Sequence, residues 1–445
     1  MRTMKRVAAV ALSVVVLMTS GVSAKAAVTD VQPAKNSSEA VLKWAKKVGE
    51  PFDEKTYANN TVSKIKLVGN YLYVADDAKH RIMKIDKKDG TILKEQKYCD
   101  ESYIQGYVSS IGYGDGKVYV GYDNGRVQAF DENTLESLWI TDENKNAINA
   151  DFVFTNGKLY FGTTAKTTDW YDNGAPFSYY VVTTSDDDKT KPDEEKTMKK
   201  VVESKTGKFY LKKGVVLGKY IVISDTAGTL TMIDTTNDKV TDTKDIGEAF
   251  SGNITYDEMT GTIYFVAGTN DLYGIKVSAD GKLKDEKKVR LYETGYSATT
   301  PEVYNGKVYV SGSKGKAFQD KGYMAVADVS SDKYKVNYTV ELSNYSQCEP
   351  TIVKTGENSV RVYFTINDEP GGIYAIEDSK DATSATLETV YEPTGDIKNT
   401  GCMSNVVVDE DGTIYFANDS KYIMSVGKKV EDTTKSDIIT VKPVT

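Results

Sequence analysis

One pattern constrains this chain more than any other. A short apolar triplet, usually centred on tyrosine, recurs from end to end. It runs as Leu72-Tyr73-Val74, Val118-Tyr119-Val120, Leu159-Tyr160-Phe161 and Tyr220-Ile221-Val222. It continues as Ile263-Tyr264-Phe265, Val308-Tyr309-Val310, Val362-Tyr363-Phe364 and Ile414-Tyr415-Phe416. Neighbouring copies stand 41 to 61 residues apart, so the extra residues fall in loops. A period of this size marks units that cannot bury their own apolar faces and must stack on one another.

The surroundings of the triplets give the unit its form. A short apolar run and a tight turn come first, as in Val153-Phe154 before Asn156-Gly157, or Val406 to Val408 before Asp411-Gly412. Asn-Gly and Asp-Gly tolerate the positive φ of two-residue hairpins, so the reading is strand, turn, strand. A third strand follows after a polar loop, at Arg126 to Phe130, Thr229 to Ile233, Gly372 to Ile376 and Tyr422 to Val426. Several copies add a fourth, such as Leu135 to Ile140. Four antiparallel strands joined by short turns make one propeller blade. The expected fold is all-β: an eight-bladed β-propeller over residues 41–430, with seven blades as the alternative.

Residues 116–139 carry a family resemblance. Their Val-Tyr-Val strand, Gly-Arg-Val strand, Ala-Phe-Asp and closing Trp139 resemble the PQQ-type (quinoprotein-like) propeller repeat, with Leu135 where that repeat usually has Gly. Residues 71–98 and 218–243 match more loosely, through Ile85-Asp86 and Ile233-Asp234. The resemblance implies the fold. It leaves function open, because the repeat serves quinoprotein enzymes, assembly factors and non-catalytic binders alike.

The eighth copy ends at Val426 without an outer strand, and Lys435 stands where Trp139 predicts a tryptophan. Residues Val41 to Val48, which contain Trp44, can supply it and join the two ends of the chain. Ile438 to Val441 is the alternative. Residues 27–40 and 431–445 read as polar tails. Residues 1–26 read as a secretory signal peptide: Arg2, Lys5 and Arg6, then an apolar run from Val7 to Met18, then small residues at Ala24 and Ala26. The run is shorter than the roughly 20 residues that span a bilayer. No cysteine precedes Cys99, so no lipidation site follows it. These features predict a secreted or cell-envelope protein without a membrane span.

Composition removes several activities. The net charge of −8 falls to −12 without the leader, which disfavours nucleic acid. One histidine, His80, excludes a multi-histidine metal site, and three cysteines exclude a four-cysteine zinc site. Glycine-rich stretches such as residues 112–116 lack a following helix and read as turns. The acidic insertion from Thr183 to Ser204 lacks calcium-loop spacing and reads as a solvated charged loop. The family resemblance would place a quinone between an adjacent Cys-Cys pair and a tryptophan, with Glu, Asn and Asp on calcium. No adjacent cysteines exist, and Trp44 and Trp139 fall in outer strands. PQQ, metals and other cofactors are therefore not expected, and no catalytic residue is assigned.

Binding is the expected role, through the face that carries the loops between blades. Trp170, Tyr171 and Phe177 fall in the long loop of the third blade, and Tyr103, Tyr292, Tyr296 and Tyr345 in inter-blade segments. Such rings suit a protein, peptide or glycan partner of a monomeric propeller. Cys348 and Cys402 enter adjacent blades at nearly equivalent positions, as a candidate disulfide or as two separate thiols. A carbohydrate-active lyase or hydrolase on the same scaffold is one alternative function. An envelope protein-assembly factor is another.

Overall fold

A computed structural model describes residues 27, 29, 31–49, 63–76, 79–98, 111–149, 151–166, 175–191, 193–210, 212–250, 252–315 and 321–429. The strands form eight sheets, each built on four antiparallel strands that run in chain order from the inside out, except that the outer strand of the last comes from the N-terminal end; one sheet carries a fifth strand. The blades cover residues 66–97, 112–141, 153–204, 215–245, 255–290, 302–342, 351–391 and 407–428, in that order. Every one of the eight triplets lies on the second strand of its blade. No helix among the described residues is long and apolar enough to cross a membrane. The leader and residues 431–445 lie outside the described residues.

The N-terminal strand Ala40–Lys47 completes the eighth blade, pairing antiparallel with Tyr422–Lys428. It behaves as a true fourth strand. All eight pairings of third with outer strand contain a register shift, and the one between Leu42 and Trp44 is the eighth. A bulge there increases the local twist that fanned blades need. Trp44 also does what Trp139 does in the second blade. Each stands over the second-strand tyrosine of its own blade, Trp44 at 6.0 Å from Tyr415 and Trp139 at 5.7 Å from Tyr119. Each indole donates to a carbonyl of the next blade, of Lys87 and of Thr184. Gly90 makes room for Trp44: a Cβ at that position would come within 2.7 Å of the ring.

The second-strand tyrosines are buried, yet each keeps a hydroxyl that needs a partner. Most find it in the next blade. Tyr73 donates to Glu132 O, Tyr160 to Asp238 and Tyr309 to Asp378. Tyr415 donates to Lys87 O and so joins the last blade to the first. Tyr363 meets no outer turn in the eighth blade, because the third strand there is not followed by the fourth. It donates instead to Ala34 O of the N-terminal segment. The segment 27–40, expected as a polar tail, is thus tied down at several of its described residues. Ala34 is fully buried, and Ala27 pairs with Val353 on the innermost strand of the seventh blade.

Apolar clusters span neighbouring blades. One joins Leu72, Val74 and Met83 of the first blade to Tyr415, Ala417 and Ile423 of the eighth. Each such side chain contributes about 1.5–3 kcal/mol through burial, and at this seam the contribution is made only if the ring closes. Leu135 shows why the repeat prefers glycine at its position. Its φ is +59, a left-handed conformation that side chains disfavour, while its own side chain is fully buried in the cluster of the first two blades.

The acidic insertion differs from its sequence reading. Glu194–Lys196 pairs parallel with Ser137–Thr141 as a fifth strand on the second blade, and Lys199–Ser204 is the outer strand of the third. Strand pairing satisfies backbone groups that a solvated loop would have left to water. It also covers an exposed sheet edge.

Candidate functional site

The chain topology separates two faces. First and second strands meet at one face in short turns such as Asn156-Gly157 and Asn305-Gly306, with positive φ at all four residues. The opposite face carries the segments that lead from one blade into the next. These converge on the mouth of the central channel.

The mouth has a repeating construction. The residue two positions before the innermost strand is polar at each of the seven blades where that position is described: Lys64, Asp151, Lys213, Asn253, Thr300, Glu349 and Asn405. Side chains alternate along extended backbone, so Lys66 follows Lys64 into the same lining. Together with Glu302, most of these surround a cavity of about 300 Å³. Ile65, Ile111, Phe152, Pro350 and Ile352 form its apolar wall.

The charges in the cavity are interdependent. Lys64 Nζ lies 3.6 Å from Asp151 Oδ2, and against desolvation this neighbour holds its pKa above the ordinary lysine value. Glu302 and Glu349 form a hydrogen-bonded carboxyl pair. Burial first, then the Glu349 charge, pushes Glu302 well above the usual carboxylate range. Burial opposes the charge on Glu349 too, but Lys213 and Lys64 hold it ionised. Glu349 in turn raises Lys213. Lys66 is lowered to about 8, chiefly by desolvation and then by repulsion from Lys213. Of the two, Glu302 is therefore the carboxyl that holds a proton more readily.

Polar atoms at the mouth are left over. Asp151 Oδ1, Glu302 Oε2 and Asn405 Oδ1 are buried without a hydrogen-bond partner. Asp151 is 7% exposed and Glu302 5%. Buried acceptors normally find donors, so three facing one cavity point to an occupant.

The aromatic residues expected to bind are placed differently. Phe177 begins the third strand of its blade and is buried among Tyr179, Phe209 and Ile223, so it is core and offers no loop surface. Its apolar neighbours come from two adjacent blades, which a single-strand reading does not reveal. Tyr292, Tyr296 and Tyr345 do lie on the loop face, half-buried and outside the cavity lining. Tyr292 stacks on Tyr323 at 5.0 Å, the backbone of Tyr296 pairs with Ser313, and Tyr345 accepts a hydrogen bond from Asn367. Trp170, Tyr171 and Tyr103 lie outside the described residues, as does Cys99.

Cys348 and Cys402 are both buried, free thiols near this face; no bond joins them. Cys348 donates to Glu349 O and Cys402 to Ala417 O, so the two groups point to different carbonyls. Burial raises the pKa of both, which leaves them as thiols rather than thiolates. His80 occupies a turn at φ +51, with its ring 6.4 Å from Tyr98.

No group of three carboxylate, thiol or imidazole side chains able to hold a metal ion exists among the described residues. Two of the channel carboxylates, Asp151 and Glu349, face lysine charges. The sequence signal for the mouth was the recurring polar residue two places before each first strand.

No protein-family model and no curated protein sequence matches the chain. Solved structures do. BamB from Moraxella catarrhalis is 12% identical with a TM-score of 0.56, over 86% of this chain and 97% of that one. A quinohemoprotein alcohol dehydrogenase from Pseudomonas putida HK5 is 11% identical with a TM-score of 0.59, over 90% of this chain and 78% of that one. The computationally designed Ika8 protein is 10% identical with a TM-score of 0.55, over 87% and 99%. At these identities the likeness establishes the propeller fold, shared by a quinoprotein enzyme, a designed protein and BamB.

Proposed function

We propose that this is an exported, non-catalytic propeller that binds a protein, peptide or glycan partner through its loop-bearing face, with the channel mouth as the centre of the contact. The observation that carries the reading is the set of buried, unpartnered polar atoms at that mouth. The opposite face has short turns, and Gln32 of the N-terminal segment donates to Lys354 O beside one of them. The leader reading of residues 1–26 supports export to the envelope or beyond.

Catalysis is the less supported reading. Glycosidase carboxyls stand roughly 5–10 Å apart to straddle the scissile bond. Glu302 and Glu349 hydrogen-bond to each other, which leaves no space for a glycosidic oxygen between them. PQQ is not part of this proposal, for the reasons of donor chemistry given above.

The test is a glycan array combined with pull-down from envelope extract, using wild type, Lys213→Glu, Trp170→Ala and, on the opposite face, Met259→Arg. Met259 is 82% exposed in a first-to-second-strand turn, so its replacement leaves the fold intact. Capture should fall with Lys213→Glu and persist with Met259→Arg. Equal capture by wild type and Lys213→Glu would reject the channel mouth as the contact, and equal capture by Trp170→Ala would reject that ring as an anchor.

A further inference from the structure

We propose that the channel-mouth cavity takes a small acid sugar of hexuronate type, one carboxylate on a ring bearing several hydroxyls. The inference rests on the binding reading above and names the chemistry of the group bound. It comes from matching what the cavity lacks. Asp151 Oδ1, Glu302 Oε2 and Asn405 Oδ1 are acceptors without donors, so the occupant must bring hydroxyl or amine hydrogens. Lys66 and Lys213 have, among the described residues, no ion pair within 4 Å of their ammonium groups and no side-chain hydrogen bond. They need acceptors.

The charge balance then selects the sign. Lys64 is paired with Asp151 at 3.6 Å. Neither Lys66 nor Lys213 has a carboxylate within 4 Å of its ammonium group among the described residues, so both can turn to a carboxylate brought by the ligand. A ligand carboxylate between Lys66 and Lys213 also relieves their repulsion. A purely cationic ligand would add to that repulsion. A small inorganic anion would leave the three acceptors unsatisfied.

Size and shape agree. About 300 Å³ is the lower end of small-molecule pockets and admits a single sugar ring. Phe152 and Pro350 in the wall present apolar surface to the C–H face of such a ring.

Isothermal titration of the full chain with D-glucuronate, D-galacturonate and D-mannuronate tests this, beside glucose, galactose, mannose and acetate. At least one uronate should saturate and bind tenfold or more tightly than its neutral counterpart and than acetate. Lys66→Met should lower uronate affinity at least tenfold while leaving the neutral sugar within twofold. Circular dichroism confirms that the variant is folded. Uronate trisaccharides separate two sources of the same chemistry: binding at least as tight as the monomer indicates a polymer end, and loss of binding indicates a free acid sugar. Failure of all three uronates to saturate, or uronate affinity unchanged in Lys66→Met, overturns the proposal. If capture by the loop face still depends on Lys213 in that case, the binding reading survives. If uronate binds while Lys213→Glu leaves capture unchanged, the partner reading fails instead.

Discussion

The two faces of the ring treat charge in opposite ways. On the turn-bearing face, buried charges are matched at short range. Lys307 donates to both oxygens of Asp378, at 3.1 and 3.0 Å, and Tyr309 and Tyr338 donate to the same carboxylate. Lys158 and Tyr160 repeat the arrangement on Asp238. At the channel mouth the lysines and carboxyls are as numerous, yet three acceptors and two ammonium groups lack direct partners. Satisfied networks rigidify a fold, while unsatisfied groups cost stability and are retained where something binds. The first face holds the blades together and the second is left open for a partner. Substitutions can break that division from either side.

The largest effect should come from the seam. Removing residues 27–49 deletes the outer strand of the eighth blade, Trp44 and the bonds at Ala27 and Ala34, and opens the ring. The thermal transition should fall by about 5 °C or lose cooperativity, since several kcal/mol lost at the seam is divided by an unfolding entropy of roughly 0.8 kcal/mol/K for about 400 residues. Trp44→Ala alone should cost about 2–4 kcal/mol in denaturant unfolding. An unchanged midpoint for the deletion would show that the ring does not need its N-terminal strand.

Next comes the turn-bearing face itself. Asp378→Ala leaves Lys307, 9% exposed, with its charge buried and two tyrosine hydroxyls without their acceptor. Breaking a buried pair costs about 3–5 kcal/mol. Tyr309→Phe removes one hydroxyl from the same cluster and should cost about 1–2 kcal/mol. Neither should alter ligand titration at the channel mouth. A change in affinity with unchanged stability would reverse the assignment of the faces.

How much of this was legible in the sequence follows the same division. The turn-bearing face and the blade core are built by local rules. Tyr119 between two valines, Asn156-Gly157 and Trp139 each act within one hairpin or on the next one, so periodicity exposes them. The closing strand was legible because the missing tryptophan after Tyr415 pointed to Trp44. The channel mouth is non-local: Lys64 meets Asp151 from two blades along, and Glu302 meets Glu349 from the next blade. No window of sequence contains either pair. Phe177 went astray for a related reason, since its burial depends on Phe209 and Ile223 in other strands. The strand at Glu194–Lys196 was hidden because charged residues suit an outermost edge as well as they suit a loop.

The smallest predicted effect is the sharpest test of the comparison, because it carries opposite signs for stability and binding. Lys66 has its pKa lowered from 10.5 to about 8, by desolvation and by Lys213. A lysine lowered in the folded state binds fewer protons there than in the unfolded chain. Its charge therefore destabilises the fold most below pH 8, and wild-type stability rises as pH climbs from about 8 towards 10.5. Lys66→Met removes that penalty. Because the site is partly open to solvent, the gain at pH 7 should be about 1 kcal/mol, well under what the full shift would give. It should shrink above pH 8 and vanish near 10.5, read as denaturation midpoints across that range. On the turn-bearing face the same exchange at Lys307 should destabilise, since there it strands Asp378. A channel lysine whose removal strengthens the fold while weakening uronate binding is retained for its ligand; if Lys66→Met destabilised as Lys307→Met does, the two faces would not differ in kind.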